Sequence, residues 1–220
     1  MIIKLISITN FDGVLGLAFP SVSRNPEVTT FIGNLKEKVG VDGMFAFYLA
    51  DEADGELVIG GHNPDRMQGE IHWVDLVSPF GYWVISLDQV KFGDQVIAPA
   101  LTGGIMDTGT SLIYGPEDQV SNMTRLMMGA EYDAAVGLYN IPCDTEVPAL
   151  EFTIGEEPYE VTGDALVIRG NETGAVCFFG IARHGVDKWL IGDVQVSPPD
   201  LSFVFHVVPS LTFRPCPTLT

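Results

Sequence analysis

Short apolar runs, each closed by glycine, proline or aspartate, recur along this chain and constrain its fold more than any other feature. Met44-Phe45-Ala46-Phe47-Tyr48-Leu49, Glu56-Leu57-Val58-Ile59 before Gly60-Gly61, and Trp189-Leu190-Ile191 before Gly192 are examples. Runs this short, bounded by turn residues, read as strands. The expected fold class is all-β, with a few short helices. With 220 residues, 46% of them apolar, there is material for one large core or for one and a half lobes.

Two segments carry helical spacing instead. Pro26 is expected to open the first helix, with Val28, Phe31, Ile32, Leu35 and Val39 as an inward stripe and Gly40 as its stop. Pro116 opens the second, with Val120, Met123 and Met127 inward and Gly129 ending it. Met44 to Val58 reads as a hairpin whose acidic tip, Asp51-Glu52-Ala53-Asp54-Gly55, is a solvated turn. That tip lacks the spacing of a calcium loop.

The stretch with the most chemistry is Ile105-Met106-Asp107-Thr108-Gly109-Thr110-Ser111-Leu112. An apolar strand leads into an acid, and small hydroxyl residues surround it. Asp107 suits a carboxylate held at a strand end. Thr108, Thr110 and Ser111 supply hydroxyls to hold it, and Gly109 allows a sharp turn and close approach of a ligand. On its own Asp-Thr-Gly is more often an ordinary turn.

Context changes that weighting. In order along the chain come Phe11-Asp12-Gly13-Val14-Leu15-Gly16-Leu17, then Gly43 to Leu49, then Gly55 to Gly61. Tyr82-Trp83, the Asp107 motif and Trp189-Leu190-Ile191-Gly192-Asp193-Val194 follow. Taken in this order the chain resembles the pepsin-like aspartic proteases, a peptidase family of hydrolases, in the cathepsin D and pepsin branch. The resemblance covers about Phe11 to Val194.

That resemblance implies two β-rich lobes, each giving one catalytic Asp, with a polypeptide substrate lying in the cleft between them. Asp107-Thr108-Gly109 looks like the second lobe's motif. Asp107 is then a catalytic residue, Thr108 locks two loops together, and Gly109 and Thr110 touch substrate. The Trp189 to Gly192 strand would cross beneath the Asp107 loop and brace it. Residues 1–70 correspond to a remnant of the first lobe with its crossing strands, and residues 71–220 to a nearly whole second lobe. Residues 1–10 fall outside the family pattern. After about Val194, where Pro198-Pro199 interrupts any strand, the family register is lost, although Leu201 to Val208 can form a strand.

The first lobe's own Asp motif and its flap would lie upstream of residue 1. Asp12, Asp42, Asp54 and Asp164 lack the apolar entry and the Thr/Ser-Gly exit, so none substitutes. This matters because two adjacent carboxylates share one proton, and the aspartic protease dyad is itself the standard instance. One accepts a proton from water while the other donates to the scissile carbonyl, and each role is worth about 10²- to 10⁴-fold. The leading expectation is therefore an aspartic endopeptidase chain with one of two catalytic Asp, inactive alone. The alternative is a catalytically silent, pepsin-like binding protein. Pairing of two copies, each giving one Asp, is disfavoured because the first-lobe remnant would obstruct it.

The formal charge is −18 and the pI about 4.3. Neither nucleic acid nor an anionic membrane attracts such a surface. No cofactor is implied, and no zinc-ligand spacing is present. The resemblance pairs Cys143 with Cys177 in a disulfide and leaves Cys216 unassigned. Asn122-Met123-Thr124 and Asn171-Glu172-Thr173 match the N-glycosylation pattern. Together with a disulfide they fit the secretory route, toward a lysosome-like or vacuole-like compartment or the exterior. Met1 to Ile8 is too short for a signal peptide or a membrane span. A monomer that needs a first lobe for activity is expected.

Overall fold

A computed structural model of the chain describes residues 13–50, 55–67, 70–77, 81–98, 101–170, 176–193, 200–206 and 212–215. The acidic tip at Asp51 to Asp54, the Asn171 sequon, Pro198-Pro199 and Cys216 lie outside them.

The apolar runs become strands, as their spacing predicts. In chain order these are β1 (Met44–Ala50), β2 (Glu56–Ile59), β3 (Val74–Asp75), β4 (Val84–Leu87), β5 (Gln89–Phe92), β6 (Gln95–Ala98), β7 (Thr102–Met106), β8 (Ile113–Pro116), β9 (Glu131–Asp133), β10 (Leu138–Ile141), β11 (Leu150–Ile154), β12 (Glu157–Val161), β13 (Val167–Arg169), β14 (Cys177–Phe179), β15 (Ile181–His184), β16 (Lys188–Ile191), β17 (Asp200–His206) and β18 (Thr212–Pro215). Among the described residues two α-helices accompany them, α1 (Phe31–Val39) and α2 (Glu117–Thr124). The chain is all-β in class.

The strands form four sheets, ordered β2-β1-β17-β18-β3, β13-β14-β10-β9, β12-β11-β5-β6 and β15-β8-β16-β7-β4. The expected hairpin is present, with Phe45 opposite Ile59 and Tyr48 opposite Glu56. The late segment from Asp200 to His206 also forms a strand, antiparallel to β1 along its whole length.

Both helices differ from their predicted bounds. α1 starts at Phe31, because the Thr30 side chain caps it by accepting the Gly33 N–H at 3.2 Å. Residues 25–28 are instead held in a turn, with the Val28 N–H on the Asn25 carbonyl. Gly40 does stop the helix, at φ 78°. The expected inward stripe is mostly not inward. Ile32 is buried, but Val28, Phe31 and Val39 are 58%, 41% and 66% exposed. Val120, Met123 and Met127 are buried as expected, but α2 stops at Thr124 and leaves Met127 in the turn that follows. There the Thr124 hydroxyl bonds to the Ser121 carbonyl, a local competitor of helix propagation, and Gly129 closes a separate turn at φ 78°.

One core runs under the described sheets. Trp189 lies at its centre, fully buried and edge-on to Phe152 at 5.5 Å. Its ring occupies space that Gly115 leaves free, since a Cβ there would meet both the indole and Val120.

Cys143 and Cys177 are joined, their Cα atoms 5.2 Å apart and their sequence separation 34. The bridge closes the β13–β14–β10–β9 sheet, where Cys177 faces Ile141. In the chain-entropy account a loop of this length contributes ~3–4 kcal/mol. Cys143→Ser should lower the unfolding free energy by about 2–5 kcal/mol under oxidising conditions. Under reducing conditions the variant and the parent should melt together. Equal stability in oxidising buffer would contradict a stabilising bridge.

Candidate active site

Strands β7 and β8 are consecutive in sequence yet are not neighbours in the sheet. β16 lies between them, parallel to β7 and antiparallel to β8. The segment joining β7 to β8 must therefore pass over the end of β16, and that segment is Asp107 to Leu112. β16 takes the place predicted for a bracing strand.

The bracing is specific. The Asp107 N–H donates to the Ile191 carbonyl at 3.0 Å, and the Asp193 N–H donates to the Thr110 carbonyl at 2.6 Å. Between these two bonds sits Gly192, where a Cβ would strike the carbonyl oxygens of Thr110 and Leu112. Only glycine lets the two backbones approach this closely.

Asp107 itself is half-buried at the end of β7. Its Oδ1 accepts the Gly109 N–H at 3.0 Å, and its Oδ2 accepts the Thr110 hydroxyl at 2.5 Å. The Thr110 N–H returns to the Asp107 carbonyl at 3.1 Å. Both carboxylate oxygens thus face donors, which fixes the orientation of the carboxylate. Of the three hydroxyls expected to hold the carboxylate, Thr110 does so. Thr108 is half-buried, Ser111 is exposed, and neither bonds to it. Gly109 does not stand at positive φ. Its lack of a side chain serves proximity instead, because a Cβ would lie 3.2 Å from Asp107 Oδ1.

Asp193 is a residue that sequence reasoning passed over. Much of its surface is open, yet its carboxyl is desolvated enough, with the neighbouring Asp107 charge adding to the effect, to be pushed up to about 6. The signal was present in Ile191-Gly192-Asp193, an apolar entry followed by glycine and an acid. It lacks the Thr/Ser-Gly exit that marks the Asp107 motif.

The other predicted sites lie elsewhere. Asn122 is exposed on α2, where its Oδ1 accepts from Arg125 at 2.7 Å. Thr124 of the same sequon is buried. A cavity of about 380 Å³ does not reach the Asp107 loop. It lies between residues 16–20 and α1, with Phe19, Phe45 and Trp83 among its walls. Val14, Leu15, Val28 and Phe31 are exposed in the same part of the chain. Among the described residues no helix is long and apolar enough to cross a membrane.

Residues 3–203 match the eukaryotic aspartyl protease family. The match takes in residues 3–10, which had been placed outside the family pattern, and runs past Val194. Among curated proteins, a pregnancy-associated glycoprotein from Equus caballus is 34% identical over 203 residues, covering 87% of this chain and 51% of its own length. Cathepsin D from Gallus gallus is 34% identical over 207 residues, covering 86% and 50%. Pepsin A-5 from Mus musculus is 34% identical over 195 residues, covering 84% and 49%. The chain spans about half the length of the curated relatives it matches. With its Asp-Thr-Gly loop seated across a bracing strand and this match over most of its length, the chain belongs to the eukaryotic aspartyl protease family.

Proposed function

We propose that this chain is the second-lobe part of an aspartic endopeptidase that cleaves polypeptides, with Asp107 as one of two catalytic carboxylates. The observation that carries the reading is the Asp107 carboxylate, fixed at a strand end by the Gly109 N–H and the Thr110 hydroxyl. A carboxylate so held is oriented before substrate arrives and can take a proton from water. It cannot also donate one to the scissile carbonyl in the same step. A second carboxyl from a first lobe supplies that.

On this reading residues 1–70 are the first-lobe remnant and residues 71–220 the second lobe. Thr108, Gly109, Thr110 and Ser111 form the substrate-side rim. The uncovered apolar residues of the 13–39 segment and the cavity beside α1 support a first lobe as the partner that covers them. The Cys143–Cys177 bridge supports passage through an oxidising, secretory compartment.

The single Asp-Thr-Gly in the sequence favours a second reading, a silent pepsin-like chain that binds peptide without cleaving it. A fluorogenic peptide assay at pH 3–5 separates the two. Joining the first half of a family member, with its Asp motif, ahead of this chain should produce turnover that the chain alone lacks. A fused protein that binds peptide but turns over none would favour the silent reading.

A further inference from the structure

We propose that Asn122 carries an N-linked oligosaccharide, attached while its segment is still unfolded and left on the solvent face of α2 once the chain folds. The proposal rests on passage through a secretory compartment and not on any peptidase activity. The acceptor is the side-chain amide nitrogen of Asn122, and the donor is an oligosaccharide carried on a polyprenyl diphosphate. The bond from Nδ2 to C1 of the first sugar forms as the C1–O bond to the diphosphate breaks. The amide loses one proton and the lipid diphosphate leaves, with no change in oxidation state.

The folded chain has room for the product. α2 turns Val120, Met123 and Thr124 inward and leaves Asn122 exposed. The engaged atom of the Asn122 amide is its oxygen, which accepts from Arg125 at 2.7 Å. Its nitrogen, the atom that takes the sugar, makes no hydrogen bond among the described residues. A sugar on Nδ2 therefore displaces neither a core contact nor the bond to Arg125.

The same fold is closed to the transfer itself. Recognition requires the asparagine and the hydroxyl two residues later. Residues two apart on a helix do not face each other. Asn122 looks outward, whereas Thr124 is 8% exposed and donates its hydroxyl to the Ser121 carbonyl at 3.1 Å. Met123, between them, is fully buried. Presenting both groups together requires α2 to unwind and Met123 to leave the core.

Topology supplies the interval in which transfer is open. α2 has eight residues, and an isolated helix shorter than about 12–15 residues is marginal in water. Packing holds it instead. Trp189 of β16 donates its indole N–H to Gln119 at 2.9 Å, and Arg183 of β15 pairs with Glu117 at 2.8 Å. Both strands follow Asn122-Met123-Thr124 in sequence and are synthesised after it. Until they arrive, the acceptor segment lacks the contacts that make it helical. The structure thus sets an order, with the sugar first and the helix second.

The test translates the whole 220-residue chain in the presence of microsomes, behind a leader segment that carries it across their membrane. Imported chain, selected by protease protection, is deglycosylated enzymatically in ¹⁸O-water, which converts a modified asparagine to labelled aspartate for peptide mapping. Label is expected at position 122. It should fall to background in Asn122→Gln and in Thr124→Ala, and persist in Thr124→Ser, which keeps the hydroxyl. A second arm gives purified, unmodified chain to solubilised microsomal membranes with the lipid-linked donor. Folded chain should take up label at Asn122 about tenfold less than reduced and alkylated chain, because a packed segment opens only rarely. Imported chain without label at Asn122, or equal labelling of folded and alkylated chain, would overturn the proposal. The supplied leader makes these results independent of the secretory reading, which is tested separately by whether the protein from its own source carries the Cys143–Cys177 bridge.

Discussion

Asp107→Asn, made in the chain joined to a family first half, is expected to lower peptide turnover at pH 3–5 by about 10²- to 10⁴-fold. Asparagine keeps the shape of the side chain. Its carbonyl oxygen can still accept the Gly109 N–H that now reaches Oδ1, and its amide can face the Thr110 hydroxyl that now reaches Oδ2. The melting temperature should therefore change little while turnover collapses, which separates chemistry from folding. What is lost is the ability to take a proton from water, and the remaining first-lobe Asp cannot supply both transfers. Turnover within tenfold of the parent would remove Asp107 from the mechanism. A different failure is also informative. Hydrolysis by the 220-residue chain alone that vanishes in Asp107→Ala would show that no first lobe is required, and pairing of two copies would become the better account.

Trp189→Ala is expected to cost about 3–5 kcal/mol of unfolding free energy, a large fraction of the stability of a typical domain. The indole is fully buried, and its Nε1–H donates to Gln119 Oε1 at 2.9 Å. Truncation opens a void between β16 and α2 and strips Gln119 of its partner. It also weakens the strand to which the Asp107 loop is stitched. Trp189→Phe, which refills most of the volume but not the hydrogen bond, should cost about 1 kcal/mol. Urea unfolding monitored by far-ultraviolet circular dichroism measures both. A change below about 1 kcal/mol for the alanine variant would show that the ring is not a keystone of this core.

The strands and the bracing of the Asp107 loop were legible because both rest on local pattern. An apolar run ending in glycine says where a strand stops, and at Gly192 the glycine also reports a close backbone contact. Helix limits were less legible. Pro26 carries a strong start signal, but the cap at Thr30 decided the matter through one hydrogen bond that spacing alone does not reveal. The stripe on α1 shows a further limit. Val28 and Phe31 repeat as core residues do, yet periodicity says only that a face is apolar, not that anything in this chain covers it. Asp193 was illegible for another reason. Its character comes from desolvation and then from Asp107, far away in sequence, and neither is written in its immediate neighbours.

The pairing of β1 with β17 has a consequence for how this protein is made. β1 can form its hairpin with β2 as soon as both are synthesised, but a two-stranded hairpin is marginal in water. The other edge of β1 is completed by residues 200–206, which are synthesised long after it. Loop closure over that distance costs little extra at equilibrium, since it grows only with the logarithm of length. Its toll is on rate, because long-range pairings form slowly. Until residues 200–206 emerge, Met44 to Ala50 therefore presents an open, aromatic strand edge, the kind of surface that recruits other chains. The nascent protein depends on timely shielding of that edge, and slow arrival of its late partner strand would favour aggregation over folding.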